Sequence, residues 1–252
     1  MRLTVLHTSD LHGGLDEAAA GRLAELAAQA DLYFDCGDAV KSGNVAIPFR
    51  PDPVWERLAR AGCRAGVPGN REFHVSSVGF RKKLYGCGHP ELAANLRWNG
   101  RARRPLQPHA SNTEFRLRPN DPLPSGMRIG RVGVFGLMVP MVTPRMKARS
   151  VSAFLNDPPV EAARACVEEL RSGCDLLICL SHIGLKNDRR LATEVAGIDL
   201  ILGGHSHDAL DEPERVGDTW ICHCGSHARF AGRYVWDGGL TNAHMIRLGA
   251  RN

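Results

Sequence analysis

The 252 residues carry a formal charge of +5, with 43% hydrophobic and 23% charged side chains, an ordinary balance for a soluble globular protein of one large α/β domain. No apolar run approaches the ~18–20 residues of a membrane span. The small basic excess suits an anionic small molecule, and aromatic side chains, the stacking platforms for bases, are only 6%, so nucleic acid is not the expected partner.

The chain opens on MRLTVLHTSD, which reads as a strand without the charged leader and apolar core of a signal peptide; the expectation is a cytoplasmic protein. DEAAAGRLAELAAQA reads as an amphipathic helix and DLYFDCGD as a second strand. The pattern then predicts a helix over 53–61, a short strand over 64–67, a helix over 78–85 and a strand over 91–96. The Pro-, Arg- and Asn-rich stretch 99–125 reads as a long excursion. MRIGRVGVFGLM suggests a β-hairpin, followed by a helix over 160–172, a strand over 175–180, a helix over 188–195 and a strand over 199–202. TWICHCG, GRYVWDGG and HMIRLG end the chain as strand upon strand. Alternating strands and helices closed by a run of strands predict two packed sheets with helices outside, in one domain over 1–252.

Eight cysteines fit a reducing compartment better than a disulfide framework. Cys36, Cys179, Cys222 and Cys224 lie in apolar strand-like runs, where free buried thiols are the default. The Cys-His-Cys at 222–224 has the donors for a metal, but no second cysteine pair at zinc spacing accompanies it. The basic clusters at 101–104 and 81–83 read as solvated faces.

The chemistry lies at the strand ends. SDLHG puts Asp10 and His12 after the first strand, DCGDAV puts Asp38 after the second, and GNRE puts Asn70 after the third. LSHIG places His182, and GGHSHD places His205 and His207, after later strands. Ligands gather at the carboxyl ends of strands in open α/β sheets, so these seven groups can converge. In D-x-H and H-x-H the two side chains of a pair fall on one side of an extended segment. Four imidazoles, two carboxylates and one amide form a mixed N/O donor set suited to Mn, Fe or Zn. Two metals held ~3.5–4 Å apart by such donors are the arrangement used for in-line attack at phosphorus.

LHTSDLHG, GDAVKSGN, GNREF, AANL, LSHIG, GGHSH and GSHARFAGRY, in this order, make the chain resemble the calcineurin-like metallophosphoesterases. The closest branch is the catalytic domain of 5′-nucleotidases and 2′,3′-cyclic phosphodiesterases. The resemblance spans nearly the whole chain and implies a four-layered α-β-β-α sandwich. It implies Asp10, His12, Asp38 and His207 for one divalent metal and Asp38, Asn70, His182 and His205 for the other. Asp38 bridges the two, and a water or hydroxide between them is the nucleophile. It further implies hydrolysis of small phosphate esters, nucleotides or cyclic nucleotides, with Mn the expected metal and Fe or Zn the alternatives.

Two departures stand out. The resemblance covers the catalytic domain alone, and the expectation is a chain without the C-terminal domain that holds the nucleoside in secreted nucleotidases, which would put nucleotide specificity in doubt even where ester cleavage is not. The family's GNHE, followed by Phe and Asp, is here GNRE followed by Phe and His. Arg71 therefore replaces the histidine that protonates or stabilises the leaving oxygen, and His74 replaces its acidic partner. Arg71 is read either as a phosphate clamp or as a salt-bridge partner of Glu72 or another acid. His74 is read either as a relocated proton donor or as a surface or helix-start histidine. Three outcomes follow: an acid moved to His74, an enzyme restricted to good leaving groups, or a binding or regulatory protein without turnover. A nuclease of the same superfamily is a further alternative.

Overall fold

The computed structural model describes residues 1–99 and 123–249. One sheet contains β1 (Arg2–Thr8), β2 (Leu32–Asp35), β3 (Ala65–Gly66), β12 (Phe230–Asp237) and β13 (Leu240–Arg247). Its order is β13-β12-β1-β2-β3, parallel from β1 to β3 and antiparallel across β12 and β13. A two-stranded ribbon pairs β4 (Leu96–Trp98) with β7 (Phe154–Asn156). The second sheet contains β5 (Gly126–Ile129), β6 (Val132–Met138), β8 (Leu176–His182), β9 (Leu200–Gly203), β10 (Glu214–Val216) and β11 (Thr219–His223). Its order is β10-β11-β9-β8-β6-β5, with β6, β8, β9 and β11 mutually parallel.

Helices cover the outer faces. α1 (Glu17–Ala27) starts where Asp16 accepts from the Ala19 amide at 2.8 Å. In α2 (Pro53–Arg60), Pro53 fills the first turn behind the Asp52 cap. α3 (Ser77–Lys83) is capped by Ser76. α4 (Pro159–Leu170) and α5 (Leu185–Glu194) lie on the second sheet.

All seven residues of β8 are buried, the mark of a strand covered on both faces. Leu176, Ile178 and Leu180 join the core shared with Val5, Leu6 and Phe34 of the first sheet, while Leu177 and Cys179 join Ala162, Cys166 and Leu191 of α4 and α5. On the far side, Leu23 and Leu26 of α1 and Trp55 and Leu58 of α2 pack with the first sheet. The layers therefore run helix, sheet, sheet, helix, the sandwich expected from the sequence. All eight cysteines are buried and none is in a disulfide.

Two expectations change. The strand over 91–96 is replaced by a single bridge between Gly66 and Glu91, with the strand beginning only at Leu96. Pro90 lacks an amide, and the next amides go to different partners: Leu92 to Gly66, Ala93 to Pro124 and Ala94 to Gly136. The segment thus ties the edges of both sheets together. Lys83, read as part of a solvated cluster, is only 1% exposed. The cluster at 101–104 and the body of the 99–125 excursion lie outside the described residues.

Candidate metal centre

The ends of β1, β2, β8, β9 and β11 meet at one seam between the sheets. The Asp10 amide donates to Gly37 and the His12 amide to Asp38, both at 2.8 Å, which zips the loops after β1 and β2 together. The His205 amide reaches Asp10 Oδ2 at 2.9 Å from the loop after β9. The His227 amide reaches the Asp10 carbonyl at 2.7 Å from the loop after β11. Nδ1 of His182, at the end of β8, donates across the seam to the Cys36 carbonyl at 2.6 Å. Residue 69 has to be glycine for Asp38 to lie here, since a Cβ would stand 2.2 Å from Asp38 Oδ1.

Asp10, His12, Asp38, His205 and His207 all have φ between 50° and 76°. This left-handed region is unfavourable for residues with a Cβ and clusters at functional sites. Tight reversals at the strand ends turn each side chain back into the seam.

The seven groups predicted from the sequence come together. His12 Nε2 and His207 Nε2 are 2.9 Å apart, and His207 Nε2 is 3.5 Å from Asp10 Oδ1. His182 Nε2 is 3.5 Å from Asp38 Oδ1, and His12 Nδ1 is 3.9 Å from Asp38 Oδ2. His205 Nδ1 donates to Asn70 Oδ1 at 3.0 Å. Asp10–His12–His207 and Asp10–Asp38–His182 each bring their ligand atoms within 4.8 Å of one another. Asp10 Oδ1, His12 Nδ1 and His182 Nε2 are buried without a hydrogen-bond partner. Buried polar atoms are normally satisfied, so these three orphans beside the Asp38 carboxylate fit a cation.

Electrostatics point the same way. Burial, then the nearby Asp38, pushes Asp10 up to about 8. Burial and Glu72 push Asp38 up to about 7. Burial drives His12 and His182 down to about 3, and lowers His205 and His207. Neutral imidazoles with free lone pairs are ligand-competent, and the crowded carboxyls ionise readily only when positive charge joins them.

Arg71 donates its backbone amide to Asp38 Oδ1 at 2.7 Å and its Nη1 to the Lys41 carbonyl at 3.1 Å. Its Nε lies 3.9 Å from Asp38 Oδ2, with the side chain 32% exposed at the rim. Glu72 is not its partner: that buried carboxylate accepts from the amides of Asp38, Gly69 and Val40 at 2.8–3.0 Å. His74 sits just before α3, where Nδ1 accepts from the Ser76 amide at 3.0 Å and its ring covers Gly79. The ring proton is therefore on Nε2.

Sequence reasoning missed three contributors. The His227 ring lies tilted 4.8 Å from that of His12 and edge-on 5.6 Å from that of His207, centroid to centroid. Lys83 donates to the carbonyls of Gly43 and Asn44 at 2.8 and 3.0 Å and to that of Arg71. Asn44 in turn accepts from the Asn70 amide at 3.2 Å. Cys222, His223 and Cys224 do not form a site, because His223 turns to Asp188 at 2.8 Å and Cys224 turns to Ser9.

With this geometry in view, comparisons with known proteins are informative. The family model for calcineurin-like phosphoesterases matches residues 3–209. A probable 5′-nucleotidase of Treponema pallidum is 26% identical over 252 residues, covering 90% of this chain and 40% of that protein. The trifunctional nucleotide phosphoesterase protein YfkN of Bacillus subtilis is 29% identical over 269 residues, covering 92% of this chain and 18% of that one. This chain thus spans well under half the length of these relatives. Among solved structures, the 5′-nucleotidase precursor of Thermus thermophilus superposes with a TM-score of 0.74 at 20% identity, over 98% of this chain and 54% of the other. The calcineurin-like phosphoesterase structure of YfkN gives 0.70 at 18% identity, over 100% and 93%. At those identities the structures speak for the fold alone, but the family model covers most of the chain: it belongs to the calcineurin-like phosphoesterases.

Proposed function

We propose that the chain hydrolyses small phosphate esters at the seam where Asp10, His12, Asp38, Asn70, His182, His205 and His207 converge. The observation that carries this reading is the set of buried, unpartnered donor atoms on Asp10, His12 and His182. Asp10, His12, Asp38 and His207 would hold one divalent ion and Asp38, Asn70, His182 and His205 the second, with Asp38 shared. The ions, Mn²⁺ first and Fe or Zn as alternatives, would supply the Lewis acidity and the lowered water pKa that phosphate-ester hydrolysis needs.

The protein's own groups divide the remaining work. Asn70 is oriented by His205 on one side and Asn44 on the other. Arg71 and His207, 32% and 41% exposed at the side chain, mark the solvent side from which an ester arrives. The Arg71 fork suits the equatorial oxygens of a phosphoryl group. An arginine cannot donate a proton to the departing oxygen. His74 presents only the Nε2 proton of a neutral ring whose other nitrogen is tied to Ser76. The favoured substrates are therefore esters with good leaving groups. Among natural esters, nucleotides and cyclic nucleotides are the leading class, turned over more slowly than activated esters for want of that proton, because the nucleotidase names belong to relatives aligned over most of this chain.

Turnover of p-nitrophenyl phosphate, its bis-ester and AMP with added Mn²⁺, against Asn70→Ala as blank, tests the proposal. Activity strongest on the nitrophenyl esters supports it. Equal efficiency on AMP would mean that an acid is present after all. Silence on all three with both ions bound would replace the enzyme by a binding protein.

A further inference from the structure

A second cluster of metal-capable side chains lies away from the seam. Cys87, His89 and Glu91 are 8%, 2% and 2% exposed, and their ligand atoms fall within 4.8 Å of one another. They come from Cys87-Gly-His-Pro-Glu91, three alternate positions of a short segment, so one extended stretch turns all three to the same side. His89 Nε2 is 3.1 Å from Glu91 Oε1, and Cys87 Sγ is 3.9 Å from the same oxygen.

The surroundings are built tightly around this group. The segment follows α3 and runs along the edge of the first sheet, with the Gly66 amide donating to Pro90 at 2.9 Å and the Leu92 amide to Gly66 at 2.7 Å. A Cβ at Gly66 would stand 2.5 Å from Glu91 Oε1 and 3.2 Å from His89 Nε2. The Trp55 ring closes the other side, edge to face with His89 at 5.9 Å.

As a purely polar cluster this arrangement is expensive. The imidazole Nε2 has only the Glu91 carboxyl, the Cys87 thiol donates to the His89 carbonyl at 3.3 Å, and His89 Nδ1, on the other side of the ring, has no partner at all. Apolar side chains of the same volume would be at least as stable at such a position. A cation held by all three groups reverses that balance.

The geometry points to a second, structural metal site at Cys87, His89 and Glu91, separate from the seam and selective for zinc. A thiolate, an imidazole and a carboxylate are the donors of tetrahedral Zn²⁺ sites, and the thiolate disfavours Mg²⁺, Ca²⁺ and Mn²⁺. Zinc here would lock the 87–91 turn in one conformation where it packs against Gly66 of β3 and Trp55 of α2. Because none of its ligands belongs to the seam, the site stands whether or not the hydrolase reading does.

Cobalt substitution separates the two. The seven seam ligands include no cysteine, so a sulfur-to-cobalt charge-transfer band in the near ultraviolet reports only the second site. The full chain, stripped with a chelator and reloaded with Co²⁺, is expected to show that band. It should survive in the double variant His205→Ala/His207→Ala and vanish in Cys87→Ser. His89→Gln, should Cys87→Ser fail to fold, is expected to need at least ~10-fold more cobalt for the same band. A folded, cobalt-loaded wild type without the band overturns the proposal, as does a band that persists in Cys87→Ser or is unmoved in His89→Gln.

Discussion

Nδ1 of His182 lies 2.6 Å from the carbonyl oxygen of Cys36, on the opposite sheet. A carbonyl only accepts, so the ring carries its proton on Nδ1 and turns the bare Nε2 towards Asp38 Oδ1, 3.5 Å away. Two lone-pair atoms facing each other in a buried seam repel unless a cation lies between them. The backbone of one sheet thereby sets the tautomer of a side chain on the other.

Removing that imidazole should therefore act first on metal and only through it on rate. His182→Ala is expected to reduce Mn²⁺ affinity by more than ~100-fold, beyond the effect of losing a supporting hydrogen bond. Isothermal titration of the stripped protein checks this, and an unchanged affinity would remove His182 from the ligand set.

Arg71 and His74 should part company. Arg71→Ala is expected to lower kcat/KM by ~10²–10³ with bound metal unchanged, as expected for a charged group facing developing phosphate charge. His74→Ala should change it far less than the ~10²–10⁴ of a general acid. Arg71→His should improve AMP relative to p-nitrophenyl phosphate by restoring a group that can donate a proton. A steep loss in His74→Ala would show that the proton comes from there.

Lys83 holds three loop carbonyls, those of Gly43, Asn44 and Arg71, from below. Lys83→Met keeps the stem and removes the ammonium from the Asn44 and Arg71 carbonyls, while Gly43 still accepts from the Ala46 amide at 3.1 Å, so we expect a loss of about 2–3 kcal/mol in urea unfolding. KM should also rise as Asn44 and Arg71 lose their register. Wild-type stability in this variant would mean that water replaces the ammonium without loss.

The metal-free chain should lose stability as pH rises from about 7.5 to 8. Asp10, at about 8, and Asp38, at about 7, retain protons there that the unfolded chain has already released, so folding is penalised as they ionise. His12 and His182, pushed down to about 3, are neutral in the fold, and the unfolded chain has released their protons only by about pH 7.5, which sets the lower edge of this window. Lys83, lowered to about 8 by burial, acts in the opposite sense only above pH 8. The slope is about 1 kcal/mol per pH unit for each proton still held. Melting curves with and without Mn²⁺ check it: the apo curve should fall with pH, and the loaded one should not.

The strand-end pattern made the seam legible because hydrophobic runs ending in Gly- or Ser-containing turns mark both topology and chemistry. The same pattern, applied to the strand Thr219–His223 and its Gly-Ser turn, leads to His227, whose ring lies tilted against that of His12. Lys83 could not be read this way. An Arg-Lys-Lys run looks solvated, and its burial depends on carbonyls 39 and 40 positions away. The segment after Pro90 has the apolar content of a strand, but its amides are shared among Gly66, Pro124 and Gly136, which no local periodicity encodes.

The left-handed turns at Asp10, His12, Asp38, His205 and His207 have an evolutionary corollary. At such φ values glycine or asparagine relieves roughly 1 kcal/mol per position, so each of these residues opposes the stability of the fold that carries it. A lineage released from metal chemistry would drift towards glycine and asparagine at these five positions first, and its proteins would melt later. Aspartate and histidine kept at these five positions in such a lineage would point to continuing selection for the site.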